Sequence, residues 1–217
     1  MERSRWITRC RAGFGLLAVA TVGVLFDRHR REPGSSAVNF FSYFTIESNL
    51  LAAGVLLAGA ARPAGRRAAP TADLVRGAAV LYLTTTGAVY GVLLAGSADE
   101  PDAAPAWADA VVHRLMPLVL VGDWLVDPPR TRLARRHALA WLAYPAAFVA
   151  YSLARGPAVA WYPYPFLDPG EPGGYARVAA NCAGIAVGVL LAAWGTLALG
   201  NRRAAVVPAP GDGVLLV

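Results

Sequence analysis

The chain has 217 residues, 56% hydrophobic and only 16% charged, which excludes both a disordered chain and the polar surface of an ordinary soluble domain. Its formal charge of +6 comes from arginine alone, since all 20 basic residues are Arg. These arginines flank apolar runs instead of clustering on one face, which speaks for membrane topology and against a nucleic-acid partner. The absence of lysine, with heavy Ala, Gly and Val usage, reads as the codon bias of a GC-rich, bacterial genome.

Six apolar stretches follow one another: Ala12–Phe26, Asn39–Ala61, Leu74–Gly96, Trp107–Val126, His137–Leu153 and Val178–Gly200. Most approach the roughly 20 residues needed to cross about 30 Å of hydrocarbon. No soluble domain of this length buries so many uninterrupted apolar helices, and backbone groups in lipid must be satisfied within their own segment. The predicted fold is all-α, one six-helix transmembrane bundle over residues 1–200. A disordered cytoplasmic tail is expected over 201–217.

The first stretch is the weakest. Its basic start, short run and small Ala18 and Ala20 also suit a secretory signal peptide, which leaves open whether it is retained or cleaved. The second opens as Asn39-Phe-Phe-Ser-Tyr-Phe-Thr-Ile-Glu-Ser-Asn49, unusually polar for a membrane helix. Ser42, Thr45 and Asn49, at i, i+3 and i+7, fall on one helical face. Glu47 projects about two hundred degrees from Thr45, toward a different neighbour. Hydroxyls in membrane helices commonly bond back to their own backbone or pack between helices, so packing is the competing reading. Pro63 to Pro70 is a short linker. The third stretch carries Thr84-Thr85-Thr86 near its middle and Tyr90 near its end.

The fourth stretch holds Asp109, His113, Arg114, Pro117 and Asp123. An arginine at a helix centre costs about 2.5–3.5 kcal/mol to insert, so such residues mark a bundle interior or a wet cavity. Asp109, one turn before His113, is placed to fix the tautomer of its imidazole. A structural hydrogen bond to a neighbouring helix is the alternative for His113. Arg114 is expected to pair with Glu47, since each is expensive alone. Asp123, beside Trp124, is expected at the interface. Before the sixth stretch comes Trp161-Tyr-Pro-Tyr-Pro-Phe-Leu-Asp168, whose prolines exclude a long helix. Trp161, Tyr164, Phe166 and Asp168 suit either an interfacial aromatic belt or a lid over an outward-facing cavity.

Arginines set the orientation. Thirteen lie on one side: Arg3, Arg5, Arg9 and Arg11; Arg62, Arg66 and Arg67; Arg130, Arg132, Arg135 and Arg136; and Arg202 and Arg203. Four, Arg28, Arg30, Arg31 and Arg155, lie on the other, and the loop carrying Asp99, Glu100 and Asp102 has none. Both termini are therefore expected in the cytoplasm of a multi-pass cell-membrane protein. Thr45 and His113 are then each six residues in from the outer face, about 9 Å at the helical rise, and Tyr90 lies six residues from the same face. Asn181 and Arg114 fall in the same outer half, so these polar residues converge. Cys10 and Cys182 lie on opposite sides and read as packing residues, neither a disulfide nor a metal site. No phosphate loop, HExxH or GxSxG motif occurs.

The Phe-Thr-Ile-Glu-Ser-Asn segment, His113 with Asp123 ten residues on, and Tyr164-Pro-Phe-Leu-Asp168 together resemble the bacterial Pr-six-Pr family of six-span membrane proteins. That group in turn is similar to the animal androgen-induced (FAR-17a-like) proteins. The resemblance runs from the second stretch to the sixth. Its animal members are threonine hydrolases of fatty acid esters of hydroxy fatty acids, acting through an intramembrane threonine and a histidine. By motif those roles fall on Thr45 and His113. This chain departs in two places: Glu47 follows the threonine by two residues instead of three, and Pro117 lies one residue closer to the histidine.

The resemblance implies a hydrolase of lipid esters, with membrane lipids as surroundings and no cofactor. Chemistry allows it: neutral His113 takes the Thr45 proton, and Arg114, Tyr90 or Asn181 are the expected oxyanion donors. Two other classes stay open, a small-solute carrier and a non-catalytic scaffold in which the polar cluster is helix glue. Against a carrier, neither internal symmetry nor a broken midplane helix is evident. Oligomeric state is not legible.

Overall fold

The computed structural model describes residues 2–62, 70–94, 105–130 and 132–204. Every regular element among them is helical. Four helices are long and apolar enough to cross a membrane, Arg5–His29, Thr71–Leu94, Arg135–Val159 and Gly174–Arg202, and a shorter apolar helix covers Phe44–Ala60. The chain is thus an all-helical protein built for a membrane. The 63–69 part of the linker, Gly96, the acidic loop around Asp99 and the tail from 205 onward lie outside the described residues.

The first stretch is one long helix, α1 (Glu2–His29). It runs past both expected ends because arginine is a good helix former and its long side chain carries the charge away from the apolar face. The second stretch is broken. Helix α2 (Ala37–Phe41) is capped by the Ser36 side chain, which accepts from the Asn39 N–H, and α3 (Phe44–Ala60) starts afresh after an extended Tyr43. The break resets the helical phase, which corrects one expectation: Ser42 does not share a face with Thr45 and Asn49. Its hydroxyl bonds the Val38 carbonyl at 2.7 Å and the Tyr151 hydroxyl at 2.9 Å.

Helix α4 (Pro70–Val89) ends in a π-type turn at Tyr90–Leu94. The fourth stretch is α5 (Ala106–Ala110), a second π-type turn (Val111–Leu115) and α6 (Met116–Val126). Pro117 has no N–H to give to the turn before it, and the wider π turn accommodates its ring. Gly87 lets α4 approach at this level, since a Cβ there would lie 3.1 Å from the His113 carbonyl oxygen. The fifth stretch divides into α7 (Arg135–Trp141) and α8 (Ala143–Val159). Pro145 cannot donate to the Trp141 carbonyl, which accepts instead from the Tyr82 hydroxyl at 3.0 Å. The last helix, α9 (Gly174–Ala204), extends into the expected tail, and Asn201 within it bonds both backbone groups of Leu133 at 2.8 and 3.0 Å.

Small residues bring α1 against α3. Ala18, Ala52 and Ala53 are fully buried, and a Cβ on Gly15 would lie 2.7 Å from Leu57. The core continues through Leu56, Leu81, Leu83, Met116, Leu120 and Trp124.

Two polar clusters occupy opposite ends. At the end where α1 and α4 begin and α6 finishes, Arg11 binds Asp123 at 2.6 Å and Asp127 at 2.8 Å, while Arg76 binds Asp73 at 3.0 Å and Asp123 at 3.1 Å. Asp123, expected at the interface, is thus a largely buried hub. At the other end α3 begins, α4 finishes and α5 begins. That end also holds the loop from Ala160 to Gly173, with a short 3-10 turn at Pro165–Leu167. The chain seats this loop through Gly156, where a Cβ would lie 2.1 Å from the Tyr162 ring. Gly156→Ala is therefore expected to lower stability by about 1–3 kcal/mol through overpacking, read as a fall in detergent melting temperature.

Candidate functional site

Thr45 is the second residue of α3, so its backbone N–H belongs to the first turn and has no partner within the helix. That N–H donates to the Tyr164 hydroxyl at 3.2 Å, and the same hydroxyl lies 3.3 Å from Thr45 Oγ1. On its other side Oγ1 lies 3.3 Å from His113 Nε2. The distance is long for a strong hydrogen bond, as is common between catalytic groups before substrate arrives.

The imidazole is held from behind. His113 Nδ1 lies 2.6 Å from Asp109 Oδ1, one helical turn earlier, and the Tyr90 hydroxyl donates to Asp109 Oδ2 at 2.7 Å. The Tyr90 ring stacks on His113 with centroids 4.2 Å apart and planes 11° from parallel. With the Nδ1 proton engaged by the carboxylate, Nε2 is left as the acceptor facing Thr45. Asn49, one turn below Thr45, donates to the Thr45 carbonyl at 2.9 Å and to that of Val112 at 3.2 Å, so it ties α3 to the π turn that carries His113. The two π turns among the described residues thus lie at this cluster, where such insertions are frequently found to serve function.

The remaining expected site residues go elsewhere. Glu47 does not pair with Arg114. It accepts a short hydrogen bond from the Tyr144 hydroxyl of α8, because the helical turn points it away from α5. Arg114 is exposed, and its guanidinium lies over the Tyr90 ring, 5.5 Å from the centroid. Asn181 donates to the Phe166 carbonyl at 3.2 Å, and Arg177 donates to the carbonyls of Pro165 and Asp168 at 2.9 and 3.2 Å. These bonds fasten the loop to the start of α9. The Asp168 carboxylate accepts from the Gly170 N–H at 2.7 Å within the loop's own turn. Trp161 meets Tyr43 edge to face at 5.5 Å, under the Arg155 guanidinium.

The three expected oxyanion donors are therefore all turned to other tasks: Tyr90 to Asp109, Asn181 to the loop and Arg114 to an aromatic face. Tyr164, read from sequence as part of an interfacial belt or a lid, is the hydroxyl that reaches Thr45. Phe166 stacks on it with centroids 5.0 Å apart and planes 6° from parallel. Burial pushes the Tyr164 phenol up to about 12, so it remains a proton donor at neutral pH.

Beside Thr45 opens a cavity of about 520 Å³, walled by Phe44, Phe148, Tyr164, Phe166, Leu167 and Val189 among others. His113 and Asp109 are not among its lining residues. Among the described residues no three His, Cys, Asp or Glu side chains cluster as a metal would need, and Cys10 and Cys182 are free thiols. Comparison with protein-family models, with curated proteins and with solved structures gives no match.

Proposed function

We propose that the chain is a six-span membrane protein that hydrolyses lipid esters with Thr45 as nucleophile. The observation that carries this reading is the relay Thr45–His113–Asp109–Tyr90, whose Thr45 lines an apolar cavity. A hydroxyl, an imidazole facing it and a carboxylate behind the imidazole are the parts that nucleophilic acyl transfer requires. The resemblance to the Pr-six-Pr and androgen-induced families points to the same residues.

In this mechanism Thr45 Oγ1 attacks the ester carbonyl carbon as its proton passes to His113 Nε2. Asp109 holds the ring and stabilises the imidazolium. The developing oxyanion takes a hydrogen bond from Tyr164, whose own oxygen is polarised by the Thr45 N–H. The tetrahedral intermediate collapses, the C–O bond to the alcohol breaks, and His113 returns its proton to the leaving oxygen. Water then repeats the sequence on the acyl-threonine, releasing a fatty acid and restoring Thr45. No cofactor takes part.

Six apolar helical segments and the arginine distribution support the topology. The Arg11–Asp123–Arg76 cluster also favours it, since it joins the ends expected in the cytoplasm. A solute carrier fits less well, because the cavity beside Thr45 is almost wholly apolar and the other end is closed by paired charges. With Cys10 and Cys182 removed, a single cysteine at Ala103 is expected to label from outside intact cells and one at Ala134 is not. The reverse pattern overturns the topology. Function is tested by purifying the protein in detergent and assaying a panel of lipid esters. Turnover by the wild type and none by Thr45→Ala is expected, whereas equal turnover by both overturns the reading.

A further inference from the structure

The cavity meets the reacting atoms from one side only. Thr45, Tyr164 and Phe44 line it, whereas His113, 3.3 Å from Oγ1, takes no part in its walls. His113 must reach the leaving alcohol oxygen to protonate it, so the alcohol half of an ester has to lie on the His113 side. The half that extends past Tyr164 into the cavity is then the acyl half.

The far walls explain how such a chain would arrive. They come from Ala146 and Ala150 on α8 and from Ala186 and Leu190 on α9, all exposed residues. Helices α8 and α9 make scarcely any close backbone approach to each other. Helix α8 is held instead by long aromatic contacts, with Phe44 5.2 Å from Phe148 and 5.3 Å from Tyr144 between ring centroids. Small side chains on both helices leave the space between them unfilled.

Resting on the hydrolase reading, we infer that this cavity is an acyl-chain site opening laterally to the surrounding hydrocarbon between α8 and α9, while the leaving alcohol stays outside it beside His113. Substrate is selected by its acyl chain and only weakly by its alcohol. A chain in this site exchanges lipid contacts for Phe148, Phe166 and Leu167 without crossing water.

The test fills the opening. Ala186→Trp, and independently Ala150→Trp from the opposite wall, are assayed on esters of one alcohol with acyl groups from acetyl to palmitoyl, and on palmitoyl esters of several alcohols. Each methylene excluded should lower kcat/KM about four-fold, so losing two or more costs the palmitoyl ester at least about ten-fold. An unchanged melting temperature in detergent shows that the variants fold, and the acetyl ester, which does not reach the opening, loses far less than the palmitoyl ester. A second readout needs no turnover: a palmitic acid analogue with a terminal diazirine is photolysed with Thr45→Ala protein, and the labelled peptides are identified. Label on α8 and α9 that the tryptophans abolish supports the site. Equal losses for short and long acyl groups, selectivity that follows the alcohol, or label elsewhere overturns it. Labelling of α8 and α9 by a wild type that cleaves no ester would retain the chain site and remove the hydrolase reading alone.

Discussion

Thr45→Ala is expected to lower kcat on a lipid ester by at least ~10³-fold, with its KM little changed, because among the described residues the hydroxyl bonded to Oγ1 is that of Tyr164, which burial keeps protonated. His113→Ala removes both the base and the acid of the cycle, a loss of about 10²–10⁴. Asp109→Asn is the sharper probe. It keeps the size and the contact with Tyr90 but removes the charge that holds Nδ1 protonated, so Nε2 is no longer reliably the acceptor. A fall of similar order in kcat, without loss of melting temperature, is expected. A structural role for Asp109 would move stability and leave kcat alone. Because the three groups act as a unit, Thr45→Ala combined with His113→Ala should be scarcely worse than Thr45→Ala.

Asp123→Leu is expected to destabilise the fold by about 3–5 kcal/mol, the largest stability effect of any single replacement considered. Its carboxylate receives two hydrogen bonds from Arg11, at 2.6 and 3.0 Å, and one from Arg76 at 3.1 Å, and the three side chains are about one-tenth exposed. Removing it takes the shared partner from two largely buried guanidinium groups and leaves Arg11 with Asp127 alone and Arg76 with Asp73. Arg11→Leu in turn leaves Asp123 with Arg76 alone and takes from Asp127 its hydrogen bond from Arg11. The double replacement should therefore cost clearly less than the sum of the two, and additive losses in a detergent melting series would show that the groups are uncoupled. Asp127 adds a pH dependence. Burial pushes its carboxyl up, but the hydrogen bond from Arg11 and the charges of Arg76 and Arg130 more than offset this, so it lies below its ordinary value. Its contribution is present above the unfolded value of about 3.9 and fades as pH falls through the lower folded one. Stability in Asp127→Asn should accordingly vary less with pH on the acid side than in the wild type.

The Thr45–His113 cluster was legible because depth along a helix is simple arithmetic. Thr45, Tyr90 and His113 lie equally far from one face, and they meet. The role of Tyr164 was not legible, since no periodicity tells how far a proline-rich loop folds back between helices. Its signal was the compact Tyr-Pro-Phe-Leu-Asp run, which suits a belt or a lid equally. The pairing of Glu47 with Arg114 was expected from depth and from the cost of each charge alone. Direction decided otherwise, because Glu47 lies slightly over a half-turn from Thr45 and meets Tyr144 of α8. The break at Ser42–Tyr43 escaped notice because nothing in an apolar run announces where a helix restarts without a proline or glycine. The cluster of Arg11, Asp123 and Arg76 follows from the same arithmetic. Arg11, Asp73, Arg76, Asp123 and Asp127 all lie at helix ends on the arginine-rich side, where opposite charges at one level have reason to pair.

A Thr45 hydroxyl made nucleophilic by His113 is expected to be trapped covalently by an electrophile that reacts with activated oxygens. The purified protein is incubated with a long-chain alkyl fluorophosphonate, which transfers its phosphonyl group to an activated oxygen with loss of fluoride, and is then weighed intact and mapped by peptide mass spectrometry. A single adduct on the peptide containing Thr45, absent from both Thr45→Ala and His113→Ala, is the expected result. No adduct on folded protein, or one that persists in both variants, would contradict the account.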